Sequence, residues 1–139
     1  MLFFFAKCRK KRYTCNVNEL TPHEIKSLNA LTLAFVGDAV MTLRVRESLA
    51  TDPAKVGDLH KRTAARICAA AQSAHFDRVA PMLDETERDI ATRARNAKHH
   101  TVPKNASLAD YIKATALEAV IGYNHLTGNK NRVEEILKC

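Results

Sequence analysis

Leu33-Ala34-Phe35-Val36-Gly37-Asp38-Ala39-Val40-Met41 holds one carboxylate, Asp38, inside an apolar run, and Ala114-Thr115-Ala116-Leu117-Glu118-Ala119-Val120-Ile121-Gly122 does the same around Glu118. Taking an isolated carboxylate out of water is expensive unless a cation, a metal ion or hydrogen bonds compensate it. No Lys, Arg or His stands within four residues of either acid, Lys113 and His125 coming just beyond. A shared metal ion is the natural compensator, which makes Asp38 and Glu118 candidate metal ligands and catalytic residues. Gly37 and Gly122 lie in the same two segments, and each should cost its helix roughly 1 kcal/mol relative to Ala. That cost points to close approach of the two helices.

Working outward, Thr21-Pro22-His23-Glu24 spells a capping box with Pro at N1. One helix is predicted from there to Leu49, with Leu28, Leu31, Phe35, Val36, Ala39, Val40 and Leu43 on one broad apolar face. Thr51-Asp52-Pro53 breaks it, and Asp58-Leu59-His60-Lys61 starts a second helix that carries Ile67, Cys68, Ala71, Ala74 and His75 and ends near Pro81. A third has acids at its start, Asp84 to Glu87, and Arg93, Arg95 and Lys98 at its end, complementing the macrodipole. His99 to Ala106 reads as a loop, Ser107 to Asp110 as a capping box for a fourth helix through His125, and Thr127-Gly128-Asn129 as its stop. Val133, Ile136 and Leu137 mark a short fifth helix. The expectation is an all-α, bundle-like domain over residues 21–139, preceded by a basic, flexible extension over residues 1–20.

Length and composition agree. A chain of 139 residues fits one domain, and 46% hydrophobic content with 4 Gly, 4 Pro and no Trp argues against a sandwich or barrel. The net charge of +7 favours an anionic partner, nucleic acid ahead of a membrane. Lys7, Arg9, Lys10, Lys11 and Arg12 against Glu19 put +4 of it in the extension, leaving +3 for the rest. Cys8, Cys15, Cys68 and Cys139 form no CxxC pair, so neither a disulfide framework nor a zinc site is expected. Leu2 to Ala6 is too short to span a bilayer and lacks the order of a signal peptide, so a cytoplasmic protein is expected.

Phe35-Val36-Gly37-Asp38-Ala39-Val40 resembles the signature helix of ribonuclease III catalytic domains, and Ala116-Leu117-Glu118-Ala119-Val120-Ile121-Gly122 resembles the helix that supplies the second acid. Asp58-Leu59-His60-Lys61, Arg93-Ala94-Arg95-Asn96-Ala97-Lys98 and Pro103-Lys104-Asn105 resemble, in order and spacing, the blocks of the Mini-ribonuclease III subfamily, so the likeness spans roughly residues 24–137. It implies the ribonuclease III endonuclease-domain bundle, homodimeric through the first long helix. The implied activity is a Mg²⁺-dependent endonuclease for double-stranded RNA, with Mn²⁺ as a substitute and without an appended RNA-binding domain. It further implies maturation of precursor large-subunit (23S) ribosomal RNA, with an auxiliary ribosomal protein among the admissible partners. Longer family members carry further acids where this chain has Ala34 and Thr115, a reduction that the Mini-ribonuclease III proteins share.

No acid occurs between Ile90 and Ala109, a segment holding Arg93, Arg95, Asn96, Lys98, Lys104 and Asn105, the candidate RNA contacts. A cation-dressed helix end is as good a reading of any one of them. His60, Lys61 and Arg62 are a weaker second candidate, Tyr111, Tyr123 and Phe76 read as core, and Met41 and Leu43 face the core or a dimer partner. His60, His75, His99 and His100 are general-base candidates by residue type alone. Two other functions stay open: a catalytically silent RNA-binding relative of the same fold, and a helical protein-interaction module.

Overall fold

A computed structural model of the chain describes residues 20–98 and 104–139. The described part is all-α, as expected: α1 Pro22–Lys26, α2 Ala30–Leu49, α3 Val56–Ile67, α4 Ala69–Val79, a 3₁₀ turn at Ala80–Met82, α5 Glu85–Asn96, α6 Leu108–Leu126 and α7 Lys130–Lys138. The basic run Lys7 to Arg12, Cys8, Cys15, His99, His100 and Pro103 lie outside the described residues.

α6 is the axis of the bundle. It buries Ala114, Ala116, Leu117, Ala119, Val120, Ile121 and Gly122, and α1, α2, α4, α5 and α7 pack around it. A helix apolar on nearly every side belongs inside.

The single helix predicted from Pro22 to Leu49 is two helices. The Asn29 side chain accepts the Leu31 N–H at 2.8 Å and restarts the chain as α2, an Asx cap that outcompetes helix propagation. The interruption frees carbonyls, and Arg93 of α5 donates to two of them, Lys26 O at 2.6 Å and Leu28 O at 3.1 Å. Such partners are what buried backbone oxygens require. The second predicted helix is also two: Cys68, with an extended ψ of 155°, turns the chain between α3, which lies along α2, and α4, which lies along α6.

α2 is apolar on two faces rather than one. Ala30, Leu33, Ala34, Gly37, Val40 and Met41 face the core, whereas Phe35 is 78% and Leu43 55% exposed. The caps fare better. Thr21 and Glu24 make the expected box, with the Glu24 carboxylate accepting the Thr21 N–H at 2.7 Å. Ser107 accepts the Asp110 N–H, but the Asp110 carboxylate takes the Ser107 hydroxyl, so the return half of that box is missing. Gly128 ends α6 with φ +76°, a left-handed value that suits glycine.

Glu87, expected as a first-turn acid, is only 1% exposed and anchors α5 to α6 and α7. Its carboxylate accepts the Asp84 N–H, Asn124 Nδ2 at 2.9 Å, and both Nε and Nη2 of Arg132, at 2.9 and 2.7 Å. Burial pushes the carboxyl up, but Arg132, the Asp84 amide and Asn124 together hold it below the ordinary carboxylate range. Cys68 and Cys139 are free and exposed, and among the described residues no helix is long and apolar enough to cross a membrane.

Candidate active site

α2 and α6 touch backbone to backbone at their glycines. A Cβ on Gly37 would lie 1.8 Å from the Glu118 carbonyl oxygen, and one on Gly122 would lie 2.0 Å from that of Leu33. Because Gly37 meets Glu118 and Gly122 meets Leu33, the helices run antiparallel at this crossing, and the residue after Gly37 is Asp38. The two glycines thus bring together the two acids singled out in the sequence.

Glu118 is half-buried, and burial, followed by the repulsion of Asp38, pushes its carboxyl up to about 7 against a hydrogen bond from Gln72 that lowers it. Among the described residues no ion pair engages either acid, although arginines and lysines are paired elsewhere across the surface. Asp38 is exposed, so the burial cost expected of both acids falls on Glu118 alone; the two carboxylates, near enough for Asp38 to raise Glu118 and without a cation, form a set of hard oxygen donors, which suits Mg²⁺ or Mn²⁺, ions that keep several waters and need few protein carboxylates. The described residues hold no cluster of three or more His, Cys, Asp and Glu, so among them this pair stands without a third such donor. Where further acids could have stood, Ala34 and Thr115 are buried, and the Thr115 hydroxyl donates to Tyr111 O at 2.9 Å.

Of the candidate RNA contacts, Arg95, Asn96 and Lys98 are exposed at the end of α5, and Lys104 and Asn105 are exposed before α6. Arg93 is half-buried and turned to the α1–α2 junction. His75 is hydrogen-bonded to Ile136 O at 2.8 Å, packed against α7 rather than beside the acids, and Phe76 is core. Sequence reasoning missed Gln72. Its signal was a polar residue on the stripe Gln72, Phe76, Val79, all three of which are buried.

The Ribonuclease III domain model matches residues 31–129, a span that holds the antiparallel pair of helices locked through glycines with one carboxylate on each beside the crossing, and so the chain carries a ribonuclease III catalytic domain. The chain belongs to the Mini-ribonuclease III branch of that family and is an endoribonuclease. It is 41% identical to Mini-ribonuclease 3 of Symbiobacterium thermophilum over 81% of this chain and 88% of that protein. With Mini-ribonuclease 3 of a Thermoanaerobacter species it shares 39% identity over 88% of this chain and 87% of that one. The crystal structure of a Fusobacterium nucleatum protein superposes with a TM-score of 0.77 at 32% identity, covering 83% of this chain and 93% of that chain.

Proposed function

We propose that this endoribonuclease cuts double-stranded RNA as a homodimer, with Asp38 and Glu118 holding Mg²⁺, or Mn²⁺ in its place. The observation that carries the reading is the pair of carboxylates beside the Gly37–Gly122 crossing, neither with an ion-pair partner among the described residues. When bound there, the ion supplies a Lewis acid and a water of lowered pKa for attack on a phosphodiester. Asp38 and Glu118 would hold and position that ion through their carboxylate oxygens. Arg95, Asn96, Lys98, Lys104 and Asn105 supply donors for phosphates and 2′-hydroxyls, the groups through which A-form RNA is read. Arg93 supports that segment by fixing α5 to the α1–α2 junction. The likeness to Mini-ribonuclease III proteins favours precursor 23S ribosomal RNA as the substrate, in the cytoplasm, with an auxiliary ribosomal protein as a further partner.

Wild type is expected to cut duplex RNA only with Mg²⁺ or Mn²⁺ present, and Asp38→Asn is expected to bind the duplex without cutting it, as gel assays of binding and cleavage run in parallel would show. Salt-sensitive binding by a wild type that does not cut would favour the silent RNA-binding relative, a reading kept in view by the two-acid donor set.

Phe35, Ala39 and Leu43 recur every four residues on the side of α2 turned away from the core, and all three are exposed. A second copy related by a two-fold axis would cover this stripe with the same stripe, as isologous interfaces do. In sedimentation, Phe35→Lys is expected to shift the protein from dimer to monomer; an unchanged dimer would place the interface elsewhere.

A further inference from the structure

Gln72 is a costly residue where it stands. It is 3% exposed, on the face of α4 that packs against α6. Its Nε2 donates to Met41 Sδ at 3.3 Å, a weak acceptor one turn along α2 from the Gly37 that touches Glu118, and its amide acts to lower the Glu118 carboxyl. No described residue donates to its Oε1. Leaving a buried amide oxygen without a partner costs about 1–3 kcal/mol, and a Leu at this point of the Phe76–Val79 stripe would avoid that cost. Folding alone therefore gives no reason for an amide here.

The chemistry of Glu118 gives one. An amide nitrogen has two hydrogens: one goes to Met41 of α2, and the face of α4 that carries Gln72 packs against α6, which leaves the second for an acceptor where the two helices bring Asp38 and Glu118 together. We propose that Gln72 is a positioning residue, whose buried amide holds the Glu118 carboxylate turned toward Asp38 so that the pair is set for a divalent cation. The inference rests on the reading of Asp38 and Glu118 as metal ligands. A neutral donor suits this task, because a Lys or Arg in the same place would take the position of the ion. Partners of ligating carboxylates of this kind typically change metal affinity 10–100-fold.

The test uses Mn²⁺ alone as the probe, on RNA-free protein, with the free-ion electron paramagnetic resonance signal as the readout and thermal unfolding in parallel. Gln72→Leu and Gln72→Met remove the amide and keep the volume. Both are expected to melt at or above the wild-type temperature without metal, to bind Mn²⁺ about 10–100-fold more weakly, and to recover cleavage as Mg²⁺ is raised. A residue that only fills the core would change the melting temperature and leave the Mn²⁺ affinity alone. Mn²⁺ binding within twofold of wild type in whichever of the two variants folds overturns the proposal, even if stability falls. Glu118→Gln separates this from failure of the underlying reading: if wild type and Glu118→Gln bind Mn²⁺ equally, the acids are not the ligands, and the role given to Gln72 falls with them.

Discussion

Gly37→Ala is expected to leave little folded protein. The added methyl would stand 1.8 Å from the Glu118 carbonyl oxygen, 2.6 Å from its carbon and 2.9 Å from the Gly122 nitrogen. All three are backbone atoms in the middle of a helix, so no side-chain rotation relieves the overlap. α2 and α6 must move apart, and the seam that opens is lined by Leu33, Val40, Met41, Leu117 and Ile121, all buried. Losing that packing along most of two long helices places the cost at about 5 kcal/mol or more, the range reserved for core overpacking at its worst. Domains of this size have only about 5–15 kcal/mol in hand. Urea unfolding would show the loss, and Gly122→Ala should match it, its methyl falling 2.0 Å from Leu33 O. Gly57→Ala is the control: nothing lies within 4 Å of its added methyl, and in the first turn of α3 it should be neutral or gain up to about 1 kcal/mol. A Gly37→Ala protein that unfolds at the wild-type urea concentration would show that the helices do not meet at their glycines.

The fold was legible wherever local chemistry decides the backbone. Thr21, Ser107 and Gly128 each mark a helix boundary in sequence because each meets its requirement within a few residues, and the structure places a boundary at each. The breaks at Asn29 and Cys68 were not legible. Asn29 caps a helix only because Arg93, far away in sequence, takes up the carbonyls released before it. Nor does the sequence say which acid is buried: Glu87 looks like any first-turn glutamate until Arg132 and Asn124 arrive from other helices to pair with it. The candidate site was legible because both of its acids interrupt long apolar runs, and because the cost of two helical glycines implied contact between those runs. Gln72 stayed hidden because a lone glutamine in an alanine-rich helix ordinarily faces water.

Glu118→Gln is expected to remove cleavage while making the metal-free protein more stable. Gln keeps the shape and the capacity to hydrogen-bond with Gln72 but cannot carry the charge that holds a divalent cation, so the rate of duplex cutting should fall at least about a thousandfold, close to 4 kcal/mol of barrier. The stability side follows from linkage. The Glu118 carboxyl is raised in the folded protein from 4.5 to about 7, by burial first and by Asp38 second. Between those pH values the folded chain keeps a proton that the unfolded chain has released. Stability is therefore full below about pH 4.5, declines as pH rises toward 7, and stays reduced above it. A shift of that size corresponds to up to about 3 kcal/mol. Glu118→Gln has no proton to lose there, so in chelator it should equal wild type near pH 4 and exceed it at pH 8. Millimolar Mg²⁺ at pH 8 should narrow the gap by stabilising wild type alone, since the ion supplies the charge that the paired acids lack. Urea unfolding at the two pH values, with and without Mg²⁺, checks all of this. A wild type whose stability does not change over that pH range would mean that Glu118 meets water freely, and a Glu118→Gln protein that still cuts would move the catalytic acid elsewhere.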